Sequence, residues 1–374
     1  MSDEGRTINT DVPPPPEGGR GPLAVPELLT PEARVFLASF GERWTAASVI
    51  ERLREIADLR VLVIGDAILD EYHFVRPYGM PTKAPVIAAQ FLSAECYAGG
   101  ALAVANHVAG FCREVHLVTG LGGDDPREEF IRAHLRENVT PHFVVQPGRP
   151  TTVKRRYLRR FLLQKLFELS FYDDGPLDDD VEAGLLAHLD AVAGDYDLVL
   201  SADFGHGLIT RRAVEVLCAK ARFLAVNTQL NSINFGYHLV TRYPRADFVC
   251  IDEEESRIAC RDRQSDLGVI LGELSAGLKT KLITVTRGHH GSLTRGADGV
   301  EAAVPVLSRQ VVDTLGAGDA FLSIAAPCAA LGFPPELVGF IGNAVGAMAV
   351  RIIGNAEAVE PDALFRFLRL VMRS

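Results

Sequence analysis

The sequence predicts an α/β protein: a doubly wound, mostly parallel sheet carrying a small β-sheet lid. Three observations lead there. Apolar strand-like runs alternate with helical patterns along most of the chain, the signature of strands joined by helical crossovers. Asp, Asn, Glu and Gly recur at the carboxyl ends of those runs, where open parallel sheets bind ligands. Two segments, "APVIAAQFLSAECYAGG" and "TTVKRRYLRRFLLQKLFELSFYDD", break the alternation and read with period two.

Taken in order, residues 1–29 are rich in Pro, Gly and charge and read as a disordered tail, because they bury too little surface to offset ordering entropy. Residues 30–58 predict a helical extension, with Thr30 as N-cap and Pro31 at the first helical position. A break is expected near Gly41, and Trp44, the only tryptophan, is expected to pack the extension down. The main domain spans 59–374. It opens with "RVLVIGDAILD", an apolar run ending in Gly65 and Asp66 and read as a buried strand that delivers an acid to its carboxyl end. "VHLVTGLG", "YDLVLSADFG", "ARFLAVNTQ", "ADFVCIDEEE" and "KLITVTRG" follow as strands, with "DDPREEFIRAHLREN" and "TRRAVEVLCAKA" among the helices. The period-two segments place lid strands near 84–98 and 150–172. A cover over the active site and an edge extension or dimerisation surface both remain open for them.

Composition narrows the function classes. With 374 residues and 48% apolar content the chain buries a large core. Its 38 Lys and Arg against 48 Asp and Glu give a net charge of -10, which disfavours nucleic acid and anionic membranes as partners. Six scattered cysteines with no CxxC pair argue against a zinc ribbon or disulfide framework. With no apolar stretch long enough to span a bilayer and no secretory pattern, the expected location is cytoplasmic. The Walker phosphate loop and HExxH are both absent.

The chemistry concentrates in "VVDTLGAGDAF", residues 311–321. Gly316, Ala317 and Gly318 open the apolar helix "DAFLSIAAPCAALG", so their amides face outward at its positive end and suit a transferring phosphoryl group. Asp319 beside them can accept the proton of an attacking hydroxyl. Standing alone, "GAGD" is better accounted for by a helix start with a capping acid and glycines for close packing. A basic stretch from Lys154 through Lys165 sets Lys154 and Arg156 on one strand face, either to grip a phosphate or to protect a strand edge.

The remaining blocks decide between these accounts. "DTLGAGDAF" resembles the C-terminal signature of the ribokinase-like (PfkB) carbohydrate kinases, and the resemblance extends over roughly residues 60–372. "AGGALAVANHVAGF" is similar to their sugar-binding signature, "FVCIDEEESRIA" to the NxxE block, "TVTRGHHGS" to the TRGxxG turn and "GNAVGAMAVRIIGNA" to the final adenine-side helix. "VLVIGDAILDEYHF", "PTKAPV", "GRPTTVKRRYLRR" and "LVLSADFGHGLITR" look most like the heptose 7-phosphate kinase branch. The resemblance implies ATP-dependent phosphorylation of a sugar, with a heptose 7-phosphate as acceptor and a 1,7-bisphosphate as product. Another sugar, a nucleoside or a natural-product precursor is an alternative acceptor, and a weakly catalytic binding protein is the alternative class.

Roles follow by position from the same resemblance. Asp319 would be the base and Gly316, Ala317 and Gly318 the amide cradle. Asp66, Asp70, Gly99, Gly100, Asn106, Lys154, Arg156 and Asp203 would bind the acceptor. Asn227, Asp252, Glu255, Thr286, Arg287, Gly288 and Asn343 would line the nucleotide path. Asp252 and Glu255 would order Mg2+ through water, and Asp313 with Gly354 would serve a K+ ion. The resemblance also implies a homodimer formed through the small sheet. Three positions depart from the family pattern: Ala103 replaces an Asn, His206 a Lys in SDYxKG, and "NTQ" ending in Gln229 an Asp-Pro-Lys. Asp252 stands where NxxE begins with Asn.

Overall fold

The computed structural model describes residues 29–79, 86–160, 163–231 and 234–373; residues 1–28 of the predicted disordered tail lie outside these, and its last residue, Leu29, is instead buried in the core. Nine strands form one twisted sheet in the order β13-β12-β11-β10-β9-β8-β1-β4-β5. Their ranges are β1 Arg60–Gly65, β4 Glu114–Gly122, β5 Val139–Gln146, β8 Leu198–Asp203, β9 Leu224–Thr228, β10 Phe248–Asp252, β11 Leu282–Thr286, β12 Ser292–Gly296 and β13 Glu301–Val304. Every pairing from β5 to β11 is parallel, and only β12 runs against the rest. β1, β8 and β9 are buried along nearly their whole length, as continuous apolar runs in a doubly covered sheet must be.

Helices cover both faces. One apolar layer gathers Leu102, Val108, Phe321, Ile324, Phe340 and Leu364; the other gathers Leu185, Leu217, Ile270 and Leu274. The N-terminal extension forms helices Pro31–Gly41, capped by Thr30, and Ala46–Glu55. It belongs to the first of these layers: the Phe40 ring lies 4.4 Å from that of Phe340, and Trp44 Nε1 donates to Glu336.

A second sheet of four strands runs in the order β3-β2-β6-β7, with β2 Ala67–Gly79, β3 Ala88–Gly100, β6 Thr152–Arg159 and β7 Gln164–Phe171. The strand read at the start of "RVLVIGDAILD" ends where its apolar run was expected to end, and the residues after Asp66 begin a second strand in the other sheet. β1 ends at Gly65, and after Asp66 the chain enters β2 of the small sheet. A Cβ on Gly65 would stand 2.2 Å from the Ala202 carbonyl, so only glycine permits that exit beside β8. Asp70 therefore sits on the small sheet and not at the end of the main sheet.

Alternation gives the small sheet two chemistries. In register, Asp70 and Tyr72 lie opposite Lys154 and Arg156, and Arg156 lies opposite Glu168, forming the face toward the main body. The opposite face carries Phe91, Phe167, Leu169 and Phe171, each more than 40% exposed.

Candidate active site

The site lies at the carboxyl ends of β1, β8, β9 and β10, under the small sheet. Helix Ala317–Ala330 starts there from Gly316, whose φ of +76° is a left-handed conformation suited to glycine. A Cβ on Gly316 would come within 2.1 Å of Asn355 Oδ1, whereas one on Gly318 would meet nothing within 4 Å. The turn is thus closed on the Gly316 side and open at Gly318. First-turn amides of a helix have no intrahelical acceptor, and Ala317 N makes only a 3.4 Å contact to the Thr314 carbonyl.

Asp319 is buried in that first turn. Burial, reinforced by the negative charge of Asp70, pushes its carboxyl up to about 7, although Lys154 and a hydrogen bond from Gln229 act the other way. That bond, Gln229 Nε2 to Asp319 Oδ1, measures 3.0 Å. A carboxyl poised near neutrality suits a general base.

The lid brings its acceptor candidates over this turn. Asp70 accepts from Arg156 and, at 3.4 Å, from Asn355 Nδ2. Arg156 is shared with Glu168 at 2.8 Å, so its guanidinium is already committed to two carboxylates. Lys154 has no ion pair within 4.0 Å among the described residues, and burial lowers its ammonium from the usual value. A Cβ on Gly99 would stand 2.0 Å from Asp70 Oδ2, and one on Gly100 2.6 Å from the Asp66 carbonyl, so both glycines are there for close approach. Asp66 accepts the amides of His206 and Leu208, and burial together with Asp203 raises it to about 6.

Asp203 is 1% exposed and already bonded to His238, Arg242 and Tyr243, so its carboxylate is committed within the protein. Asn106 spends both ends of its amide on the backbone of His134 and Arg136. A cavity of about 230 Å3 runs past Ala103, Asn106, His107 and Asn355. His206 is 4% exposed with neither ring nitrogen hydrogen-bonded, on the wall of a cavity of about 20 Å3 that it shares with Asp66, Gln146 and Thr152. Burial drops its imidazole to about 3, so the ring is neutral.

Along the expected nucleotide path, Asp252 caps helix Glu253–Cys260 in a reciprocal box with Glu255. Glu255 also accepts the Leu230 amide, and burial with repulsion from Asp252 and Asp319 raises its carboxyl above the usual value. Asn227 Oδ1 is buried without a donor at the end of β9. Thr286 ends β11, and Gly288 follows at φ +52°. Arg287 is held by Glu253 at 3.0 Å. Asn343 ties its helix to Ser292 on β12. No cluster of three or more metal-ligating side chains occurs among the described residues.

Asp313 opens the loop before Gly316. Its Oδ2 accepts from Tyr72 OH at 2.6 Å and Gly354 N at 3.1 Å; its Oδ1 accepts from Leu315 N at 3.1 Å and Lys165 Nζ at 3.3 Å. Four donors fill the lone-pair sites of a carboxylate. Sequence reasoning did not single out Gln229 as a partner of Asp319, nor Asn355, nor this link to Lys165, because all three pairings join segments far apart in the chain.

Residues 58–362 match the pfkB family carbohydrate kinase pattern. The chain belongs to that family and is a carbohydrate kinase. Among curated proteins it is similar to the bifunctional protein HldE of Geotalea uraniireducens, 26% identical over 319 residues that cover 84% of this chain and 64% of the relative. The HldE of Shewanella amazonensis is 28% identical over 300 residues, 79% of this chain and 61% of that one. The chain thus spans less than two thirds of these relatives. Its fold is similar to that of phosphofructokinase-2 from Escherichia coli in complex with potassium (TM-score 0.67, 15% identity, 84% of this chain and 99% of that one). It is also similar to Arabidopsis thaliana ribokinase complexed with ribose and ATP (TM-score 0.60, 17% identity, 83% and 99%). No helix among the described residues is long and apolar enough to cross a membrane.

Proposed function

We propose that this carbohydrate kinase transfers the γ-phosphoryl group of ATP to a hydroxyl of a heptose 7-phosphate. The observation that carries the proposal is Asp319: a buried carboxyl brought to about 7 in the first turn of a helix whose start is open at Gly318. Asp319 takes the hydroxyl proton as that oxygen bonds to the γ-phosphorus. The bond from the γ-phosphorus to the bridging oxygen breaks, leaving ADP and a sugar phosphate ester. The amides at Gly316, Ala317 and Gly318 face the negative charge of the transferring group, where preorganised donors help most. Asp70, brought by the lid and fixed by Arg156 and Asn355, orients acceptor hydroxyls.

The donor set suits hydrated magnesium, which needs only one or two carboxylates and keeps its waters. Asp252 and Glu255 would hold it through water, and the unpaired Asn227 Oδ1 offers a bound water an acceptor. Magnesium, when bound, would offset charge on the β- and γ-phosphates. The similarity to HldE supports a heptose acceptor.

One observation favours a second reading. Arg156 is held by Asp70 and Glu168, which leaves Lys154 as the one unpaired cation of the predicted pair and favours an acceptor with less negative charge. A homodimer through the exposed apolar face of the small sheet completes the proposal. The deciding experiment supplies ATP, magnesium and either heptose 7-phosphate or unphosphorylated sugars and follows ADP. Release with the heptose phosphate alone supports the first acceptor; preference for an unphosphorylated sugar supports the second. Release unchanged in Asp319→Asn removes the base assignment.

A further inference from the structure

We propose that the ammonium of Lys165 takes the place of a monovalent cation at Asp313, so that the lid itself supplies the positive charge that fixes the loop leading to Gly316. The inference rests on reading that loop as the phosphoryl-binding turn. Asp313 lies three residues before Gly316, and its side chain is 4% exposed. A carboxylate buried to that degree is costly unless paired with positive charge and hydrogen-bonded. Tyr72 OH, Leu315 N and Gly354 N supply three hydrogen bonds but no charge. Lys165 Nζ, 3.3 Å from Oδ1, supplies both the fourth bond and the charge.

A potassium ion using this carboxylate does not fit beside these groups. All four donors direct hydrogen atoms at the oxygens, and an inserted cation would meet those hydrogens in place of lone pairs. Room for it would require Lys165 to leave. That residue can leave, because its side chain is 39% exposed and lies on β7, at the outer edge of the lid sheet.

The same contact ties two parts of the site together. Lys165 and Tyr72 come from the lid, Asp313 and Leu315 from the loop, and Gly354 from the segment that also presents Asn355 to Asp70 and Gly316. Beside the ion pair, Leu315 and Ile353 pack against the lid residues Tyr72, Phe74 and Leu158. The loop is further held by the amides of Val312 and Asp313, both donating to the Val350 carbonyl. Lys165 is a positioning residue: it touches neither substrate, and it acts by neutralising the charge around which the loop folds.

The test compares the unaltered protein, Lys165→Met and Lys165→Arg in tetramethylammonium buffer while KCl replaces tetramethylammonium chloride at constant ionic strength. Three readouts are taken: thermal midpoint, ATP affinity by calorimetry, and turnover. Expected for the unaltered protein and Lys165→Arg is no dependence on potassium in any readout. Expected for Lys165→Met is a lowered midpoint and several-fold weaker ATP binding, both restored by potassium. Potassium activation or stabilisation of the unaltered protein overturns the proposal, as does a Lys165→Met protein that potassium leaves unchanged. The midpoint needs neither nucleotide nor acceptor, so it tests Lys165 even where absent ATP binding would defeat the functional reading instead.

Discussion

Gln229 Nε2 donates a 3.0 Å hydrogen bond to Oδ1 of Asp319. An amide orients the carboxylate without adding charge, so Asp319 stays at about 7. The proposed base would work deprotonated, and kcat/KM is therefore expected to fall about tenfold per pH unit below about pH 7 and to level off above it. Gln229→Lys places a cation beside the carboxylate and favours its charged form. The acidic limb should move to lower pH, which a pH–rate profile at saturating magnesium reads directly; an unmoved limb would separate Gln229 from the base.

Asp319→Asn should cost roughly 10²–10⁴ in turnover, the range for a lost general base. Stability should move in the opposite direction. A carboxyl raised from 3.8 to about 7 binds its proton more tightly folded than unfolded, so it lowers stability progressively as pH rises through that window. At full ionisation the penalty is roughly 4 kcal/mol at most, from about 1.4 kcal/mol per unit. Denaturant titrations should find the variant more stable than the parent at pH about 8 and nearly equal to it at pH about 4.

The two glycines of the turn should separate fold from function. Gly316→Ala meets both a left-handed backbone, costing about 1–2 kcal/mol, and Asn355 at 2.1 Å; its midpoint should drop. Gly318→Ala meets nothing within 4 Å, so its midpoint should hold while its methyl group intrudes on the transferring phosphoryl group and turnover falls. Parallel thermal melts and ADP assays decide it, and a fully active Gly318→Ala would argue that the open space is not the reaction space.

His206 keeps two buried ring nitrogens without partners. A neutral imidazole offers one donor and one acceptor, which matches a hydroxyl better than a phosphate. His206→Ala should raise the acceptor KM roughly tenfold, the loss of about one good hydrogen bond, with kcat little changed. An unchanged KM would mean that the cavity of about 20 Å3 holds only water.

Much of this arrangement was legible in the sequence, for identifiable reasons. The parallel sheet showed through continuous apolar runs, and the turn before Asp319 showed through small residues in a row. The exit at Asp66 was hidden because "VLVIGDAILD" is apolar on both sides of the acid, and nothing in its periodicity marks a change of sheet. β5, β12 and β13 lacked the dense apolar run that identifies a central strand; they lie toward the sheet's edges. Lys154 and Arg156 do share a face, as alternation requires. That Glu168 would claim Arg156 depends on the register of β7 against β6, which only the folded sheet displays.

The outer face of the small sheet supplies a fifth prediction. Phe91, Phe167, Leu169 and Phe171 form an exposed apolar surface of the kind that marks association. Leu169→Glu should shift the protein to monomers in sedimentation equilibrium, while a monomeric parent protein would remove the dimer from the proposal.

Asp66 joins the two sheets within a single residue, and Ala101 N holds its carbonyl just where β3 returns to the body at Gly100. β2 and β3 are thus rooted side by side with no slack between them. Asp70 lies four residues out on the small sheet, and Asp319 belongs to the body. On the proposed reading, the spacing between the group that orients the sugar and the group that deprotonates it is therefore set by how the small sheet is rooted at Asp66 and Gly100.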